Sequence, residues 1–183
     1  LAGRTVLILG FGRIGRRLVP LCTAMGMTVL VHDPYVIQDA IATAGAIPVQ
    51  DWRAALPEVD FLSVNCPKNE ETDGMVGVAE LAAMKPTAFV VNTARGNIVE
   101  EKALYDALKS RTIAGAGIDP FVVEPPPADE PLFELENIIV SPHSAGVTEE
   151  SMFRMGAAAA QNVVDCFDGK LDPANVINTE VLK

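Results

Sequence analysis

The stretch VSPHSAG, residues 140–146, holds one of only two histidines in the chain, set between a proline and small residues. Histidine as a residue type titrates near pH 6.5, so it can take up and return a proton at neutral pH. A lone histidine more often plays a structural part, and its neighbours decide. Arg95 follows the apolar run AFVVN, Asp119 and Glu124 follow IAGAGI, and His143 follows NIIV. If these runs are parallel strands, their carboxyl ends put all four residues on one rim, where open α/β sheets bind ligands. There His143 would serve as acid and base, and Glu124 would hold its tautomer. Arg95 would grip a carboxylate and polarise the adjacent carbonyl with its planar donors. Each residue also has a plainer reading: a surface ion pair for Arg95, a solvated charge beside prolines for Glu124, a loop residue for His143.

A second chemical motif opens the chain. The run TVLIL leads directly into Gly10-Phe11-Gly12-Arg13-Ile14-Gly15, a G-x-G-x-x-G match followed by a helical pattern. In such a loop Gly10 permits the tight turn, Gly12 lets a pyrophosphate approach the backbone, and Gly15 allows close helix packing, while the helix N-terminus offers free N–H groups. The second apolar run ends at Asp33, whose carboxylate can accept hydrogen bonds from the ribose hydroxyls of an adenosine. The same charge repels a 2′-phosphate, and no arginine follows in Asp33-Pro34-Tyr35-Val36, so NAD is expected rather than NADP.

The elements that would position these groups follow from periodicity. Apolar runs at 5–9, 28–32, 60–64, 88–92, 113–118 and 137–140, rich in Val and Ile and bounded by Gly, Pro, Asn or Asp, suit strands buried on both faces of a parallel sheet. Helical spacing occupies 13–25, 78–84 and 100–109, and 148–168 is a longer, alanine-rich amphipathic stretch. The alternation predicts an α/β, doubly wound parallel sheet of Rossmann type, the dinucleotide-binding domain only. Four prolines in EPPPADEP, 124–131, require a stiff surface loop. Trp52 reads as a packing residue on a short helix, and His32, with no partner in view, as structural.

Composition narrows the partners. A net charge of −10 repels phosphate backbones and anionic lipid, which argues against nucleic acid and membrane surfaces. Apolar runs are too short for a membrane span or signal peptide, and three widely spaced cysteines point to buried thiols in a reducing, cytoplasmic compartment. No metal site is expected, because His32, Asp33 and His143 lack a third ligand at helpful spacing. Neither a P-loop nor a G-x-S-x-G elbow occurs.

Read together, GFGRIG, HDPY, NCPKNEETDGMV, VNTARGNIVEEKAL, AGIDPFVVEPP and SPHSAG resemble, in order and approximate spacing, the blocks of the D-isomer-specific 2-hydroxyacid dehydrogenases. That family includes phosphoglycerate dehydrogenases and glyoxylate or hydroxypyruvate reductases. The resemblance spans nearly the whole chain and implies NAD as cofactor. It places the catalytic arginine, glutamate and histidine on Arg95, Glu124 and His143, the pyrophosphate on Arg13 and Ile14, and the ribose on Asp33. It puts the nicotinamide near Thr93, Ala94 and Asp119, with Cys66, Pro67, Thr72, Ala145 and Gly146 as further cofactor-contacting positions. Lys68, where the family usually has an apolar residue, and Pro120, which interrupts Asp-Val-Phe, depart from the pattern.

The resemblance also implies a second, substrate-covering domain. Residues 1–170 would then be the NAD-binding domain and 171–183 a tail returning toward the missing partner domain, so the chain is expected to be a piece of a larger one. A small 2-hydroxy or 2-keto acid substrate and a homodimer, through apolar segments 98–108 and 145–160, follow from the same likeness. An NAD-sensing interaction module similar to the C-terminal-binding corepressors remains an alternative, since those proteins share the fold and triad. A formate dehydrogenase-like enzyme would carry glutamine where Glu124 stands.

Overall fold

The computed structural model describes residues 1–182. In chain order its elements are β1 (Thr5–Leu9), α1 (Gly15–Ala24), β2 (Thr28–His32), α2 (Gln38–Thr43), β3 (Ile47–Pro48), α3 (Trp52–Ala55), β4 (Phe61–Val64), α4 (Val78–Ala83), β5 (Phe89–Asn92), α5 (Glu101–Lys109), β6 (Gly115–Ile118), β7 (Ile138–Val140) and α6 (Glu149–Phe167). The seven strands form one all-parallel sheet in the order β3-β2-β1-β4-β5-β6-β7. The chain divides into two compact units: Leu1–His143, which holds the whole sheet, and the segment from Ser144 onward, which holds α6.

Alternation along β1 explains the layering of the first unit. Val6 and Ile8 pack with Val19, Val29, Val31 and Ile41 in one core, whereas Leu7 and Leu9 pack with Leu62, Val64 and Val90 in another. Successive strand residues point to opposite faces, so a run apolar at every position is the mark of a strand covered on both sides. Each fully buried Leu, Ile or Val removes enough surface from water to favour the fold by about 1.5–3 kcal/mol. The register sets β1 directly beside β2 (Leu9 opposite His32) and β4 (Leu9 opposite Val64), so the loops after these three strands start at one level.

The α/β architecture matches the sequence reading, with differences at the margins. The strand read at 113–118 begins only at Gly115, where pairing with β5 starts, although Ile113 is fully buried. The two-residue β3 is too short to produce a periodic signal, and α2, which buries only Ile41, carries no apolar stripe for spacing to reveal. Trp52 packs in the core at 4% exposure, as expected. The thiols are not uniformly buried: Cys22 is, Cys66 is half-buried and Cys166 is exposed, because α6 buries none of its residues. The apolar side chains of 98–108, including Ile98, Val99, Leu104 and Leu108, serve the core and are not free for a subunit contact.

In the second unit, Thr148 starts α6. Its hydroxyl accepts from the Ser151 N–H at 3.1 Å, and the Ser151 hydroxyl accepts from the Thr148 N–H at 2.9 Å, a reciprocal cap. Met152, Phe153 and Met155 on this helix are all more than half exposed.

Candidate functional site

The glycine loop shows why each glycine stands where it does. Gly10 has φ +97°, and a Cβ on it would sit 2.8 Å from the Asn65 and Cys66 backbone, so its absence lets the β1 and β4 loops meet. A Cβ on Gly15 would collide with the Gly10 carbonyl oxygen, so this glycine lets α1 begin against the loop. Gly12 is different: nothing lies within 4 Å of the place its Cβ would take. The protein itself has no need of a glycine there, and the bare backbone instead leaves open space at the start of α1. No side chain caps that helix and no acid stands in its first turn, whereas Asp51 caps α3 and Thr148 caps α6. An uncapped N-terminus over open space, where N–H groups and the helix dipole favour negative charge, fits a pyrophosphate.

Asp33 closes the other side of the loop. Its Oδ2 accepts from the Phe11 N–H at 2.7 Å and its Oδ1 from the Tyr35 N–H at 2.9 Å. A carboxylate has about four acceptor positions, so two remain for ribose hydroxyls. Asp33 and Gly10 line a cavity of about 250 Å³ together with Cys66, Pro67 and Thr72. Burial pushes the Cys66 thiol up, which keeps it protonated. The Thr72 hydroxyl donates to the Pro67 carbonyl at 2.7 Å and accepts from the Asn69 N–H at 2.9 Å, so it shapes the loop it belongs to. His32 also faces this cavity, and its Nδ1 meets the Val49 carbonyl at 2.9 Å, in keeping with a structural part.

Toward the other edge of the sheet, Ile14, Pro67, Thr93, Ala94 and Arg95 line a cavity of about 310 Å³, with Lys68 at its wall. The Arg95 turn is built by buried Asn92, whose Oδ1 accepts from the Ala94 N–H at 3.0 Å and whose Nδ2 donates to the Arg95 carbonyl at 2.9 Å. Arg95 donates from Nη1 to the Ala94 carbonyl at 2.6 Å and is otherwise exposed. A third cavity, about 260 Å³, is lined by Asp119, Phe121, Glu124 and His143. His143 Nδ1 lies 2.9 Å from Glu124 Oε2, and Glu124 Oε1 accepts from the Phe121 N–H at 3.1 Å. The hydrogen bond from His143 holds the Glu124 carboxyl below the usual carboxylate range. His143 is placed by its own N–H, which donates to the Asp119 carbonyl at 3.1 Å, and by a left-handed φ of +53°. The Ser141 hydroxyl donates to buried Asp119 at 2.5 Å.

The structure thus brings Glu124, His143 and Asp119 together, and sets Arg95 with Ile14, Thr93 and Ala94 in a separate cavity. Gly96 couples them, since a Cβ on it would run into the Phe121 backbone that anchors Glu124. Arg13 is exposed on the glycine loop, and Ala145 and Gly146 belong to the second unit. Asn92, Gly96 and Phe121 escaped the sequence reading. For Asn92 a signal existed, because an asparagine at a strand end tends to fold the next residues into a turn on its own side chain. Among the described residues no cluster of His, Cys, Asp and Glu has the makings of a metal site, and no helix is long and apolar enough to cross a membrane.

Comparison with known proteins bears on this geometry. A family model described as D-isomer specific 2-hydroxyacid dehydrogenase, NAD binding domain, matches residues 1–145. A glyoxylate reductase of Korarchaeum cryptofilum is 42% identical over 183 residues, covering 99% of this chain and 54% of its own. A D-3-phosphoglycerate dehydrogenase of Archaeoglobus fulgidus is 36% identical over 178 residues, covering 97% of this chain and 33% of its own. The crystal structure of a D-lactate dehydrogenase with NAD+ from Lactobacillus jensenii superposes with a TM-score of 0.82 at 30% identity, over 91% of this chain and 53% of that one. The chain spans about half the length, or less, of these relatives.

Proposed function

Because this chain belongs to the D-isomer specific 2-hydroxyacid dehydrogenase family, as its NAD-binding domain, we propose that the whole protein interconverts a D-2-hydroxy acid and the matching 2-keto acid with NAD. The observation that carries this reading is the 2.9 Å contact between His143 Nδ1 and Glu124 Oε2. An ionised carboxylate can only accept, so Nδ1 bears the proton in that contact, and in the neutral imidazole Nε2 then keeps its lone pair. Nε2 takes the substrate hydroxyl proton in oxidation and returns it to the carbonyl oxygen in reduction. Arg95, with one donor committed to its own turn, uses the rest of its planar fork to hold the substrate carboxylate and draw charge onto the reacting oxygen. When bound, the nicotinamide supplies the two-electron exchange by accepting or giving back a hydride.

The chain's own residues hold that cofactor. Gly10, Gly12, Arg13, Ile14 and Gly15 take the pyrophosphate at the α1 N-terminus, and Asp33 takes the ribose hydroxyls. Cys66, Pro67 and Thr72 flank the adenosine side, and Thr93, Ala94 and Asp119 the nicotinamide side. Ala145 and Gly146 complete the set. Within the chain, residues 1–170 are assigned to cofactor binding and 171–183 to a tail beyond it, and the location to the cytoplasm, in line with three free cysteines. A homodimer through the exposed Met152, Phe153 and Met155 belongs to the same reading, and light scattering that finds only monomer at high concentration removes it.

The test is a panel of 2-keto acids, including glyoxylate, hydroxypyruvate and pyruvate, with NADH and the full-length protein. Turnover of at least one is expected, and turnover of none overturns the reading. The 183-residue chain alone should bind NADH yet turn over these acids very slowly, because effective molarity from enforced orientation is worth about 7–11 kcal/mol and needs a closed cleft.

A further inference from the structure

The cavity beside the ribose acid has a second acidic wall. Tyr35, two residues beyond Asp33, donates its phenolic hydroxyl to Glu71 Oε2 at 2.5 Å, and both side chains line the same cavity as Asp33. The hydrogen bond to Glu71, then the charges of Glu71 and Asp33, push the phenol up from its ordinary value, so Tyr35 remains the donor. The Glu71 backbone is also tied down: its N–H donates to Asn69 Oδ1 at 2.9 Å, inside the loop that Thr72 closes onto Pro67. A carboxylate on a mobile loop would swing away from an incoming anion. This one is held from two sides.

The same cavity contains an arginine, which would ordinarily welcome a phosphate. Arg53, however, donates from Nε to Glu80 Oε1 at 2.7 Å and lies over the Trp52 ring at 4.4 Å. The Arg53 hydrogen bond, together with the Gly77 N–H, overcomes burial and holds the Glu80 carboxyl below its usual range, so the arginine has a fully charged partner. What faces a ligand is therefore Asp33, Glu71 and a cation that is already neutralised.

We propose that Glu71, positioned by Tyr35, is a second determinant of cofactor choice, whose carboxylate disfavours an adenosine 2′-phosphate from the β4 loop while Asp33 does so from the end of β2. This rests on the reading of the cavity as the adenosine site. A phosphate monoester carries about −1.5 to −2 charges near neutrality, and the 2′-hydroxyl of NAD carries none. At low ionic strength, repulsion by a carboxylate roughly 8 Å away through water would amount to about fivefold in affinity, against the phosphorylated dinucleotide alone. Discrimination shared between two loops also means that removing Asp33 narrows the preference for NADH without reversing it.

The experiment is titration of the 183-residue chain with NADH and NADPH, followed by nucleotide fluorescence, for wild type, Glu71→Gln, Tyr35→Phe, Asp33→Ser and the double variant Asp33→Ser/Glu71→Gln. Gln keeps an acceptor for Tyr35 and removes only the charge. In buffer of about 0.01 M ionic strength, the NADPH-to-NADH Kd ratio should fall about three- to fivefold in Glu71→Gln, by a smaller factor in Tyr35→Phe, and by the same factor again when Glu71→Gln is added to Asp33→Ser. At 1 M salt, where the screening length is about 3 Å, the Glu71→Gln effect should largely disappear. A ratio unchanged within about twofold in Glu71→Gln, or an effect indifferent to salt, overturns the proposal while leaving the cofactor reading standing. A wild-type chain that binds neither dinucleotide overturns the cofactor reading and this proposal together.

Discussion

The two ends of the sheet treat charge in opposite ways. At the amino end, Asp60 is 6% exposed and every side of its carboxylate is answered: the Thr5 N–H at 2.8 Å, Lys85 Nζ at 3.1 Å and Arg4 Nη1 at 3.5 Å. The Thr5 N–H, chiefly, holds this carboxyl below its usual range against the cost of burial. At the carboxyl end, Asp33 accepts from two backbone N–H groups with no salt bridge to any cation among the described residues, Arg95 is exposed, and the His143 and Glu124 side chains remain 42% and 40% exposed. One end uses its polar groups to fix the fold. The other leaves donors, acceptors and open backbone exposed, the surplus that the proposed cofactor and substrate would use.

The comparison is sharpest where loss of one side chain should stop chemistry and leave the fold intact. In the full-length protein, His143→Ala should lower 2-keto acid turnover by roughly 10²–10⁴-fold, the usual worth of a positioned acid and base, with a far smaller change in NADH affinity. Steady-state kinetics beside NADH titration measures both. Equal losses in the two would make His143 part of the cofactor cradle and dissolve the division of labour along the rim.

At the opposite end, Asp60→Asn should cost roughly 1–3 kcal/mol of stability while NADH affinity stays near that of wild type, because the change strands Lys85 without its partner far from the glycine loop. The pH dependence follows from the direction of the shift. Since the folded carboxyl titrates below an unfolded aspartate, whose value is about 3.9, its stabilisation is complete above that value and fades as pH falls through the folded one. Thermal melts of the two proteins should therefore differ at neutral pH and converge in acid. A gap that widens on acidification would mean that Asp60 is not the stabilising carboxylate.

Much of this contrast was legible in the residues alone, and the reason is locality. Val6 to Leu9, Val29 to Val31 and Val90 to Asn92 are short apolar runs between turn-forming residues, and strands covered on both faces leave that trace. The glycine loop was legible because three glycines fall within six positions, two of them answering steric demands of the fold and the third leaving bare backbone at the start of α1. Glu71 was not, since its meaning comes from a phenol 36 positions away. Gly96 was also silent: its demand is the backbone of Phe121, in a loop beyond the next strand. Nor could periodicity show that α6 leaves Met152, Phe153 and Met155 uncovered, because an amphipathic pattern says that a face is apolar and not what covers it.

The smallest effect that bears on the two ends of the sheet is also the most discriminating, because it sets two glycines of one loop against each other. A methyl group on Gly12 meets nothing within 4 Å, and its φ is not in the left-handed region, so Gly12→Ala should keep the melting temperature or raise it slightly by restricting the unfolded chain. The same methyl fills space above the α1 N-terminus, and NADH affinity should fall about tenfold, or about 1.4 kcal/mol. Gly15→Ala should do the reverse in stability, because its methyl is driven into the Gly10 carbonyl and the start of α1 must shift. Melting curves and NADH titrations of the two variants check the pair. If Gly12→Ala melts early and binds NADH as wild type does, the open backbone at the carboxyl end is a packing feature and the contrast between the two ends of the sheet fails at its most exposed point.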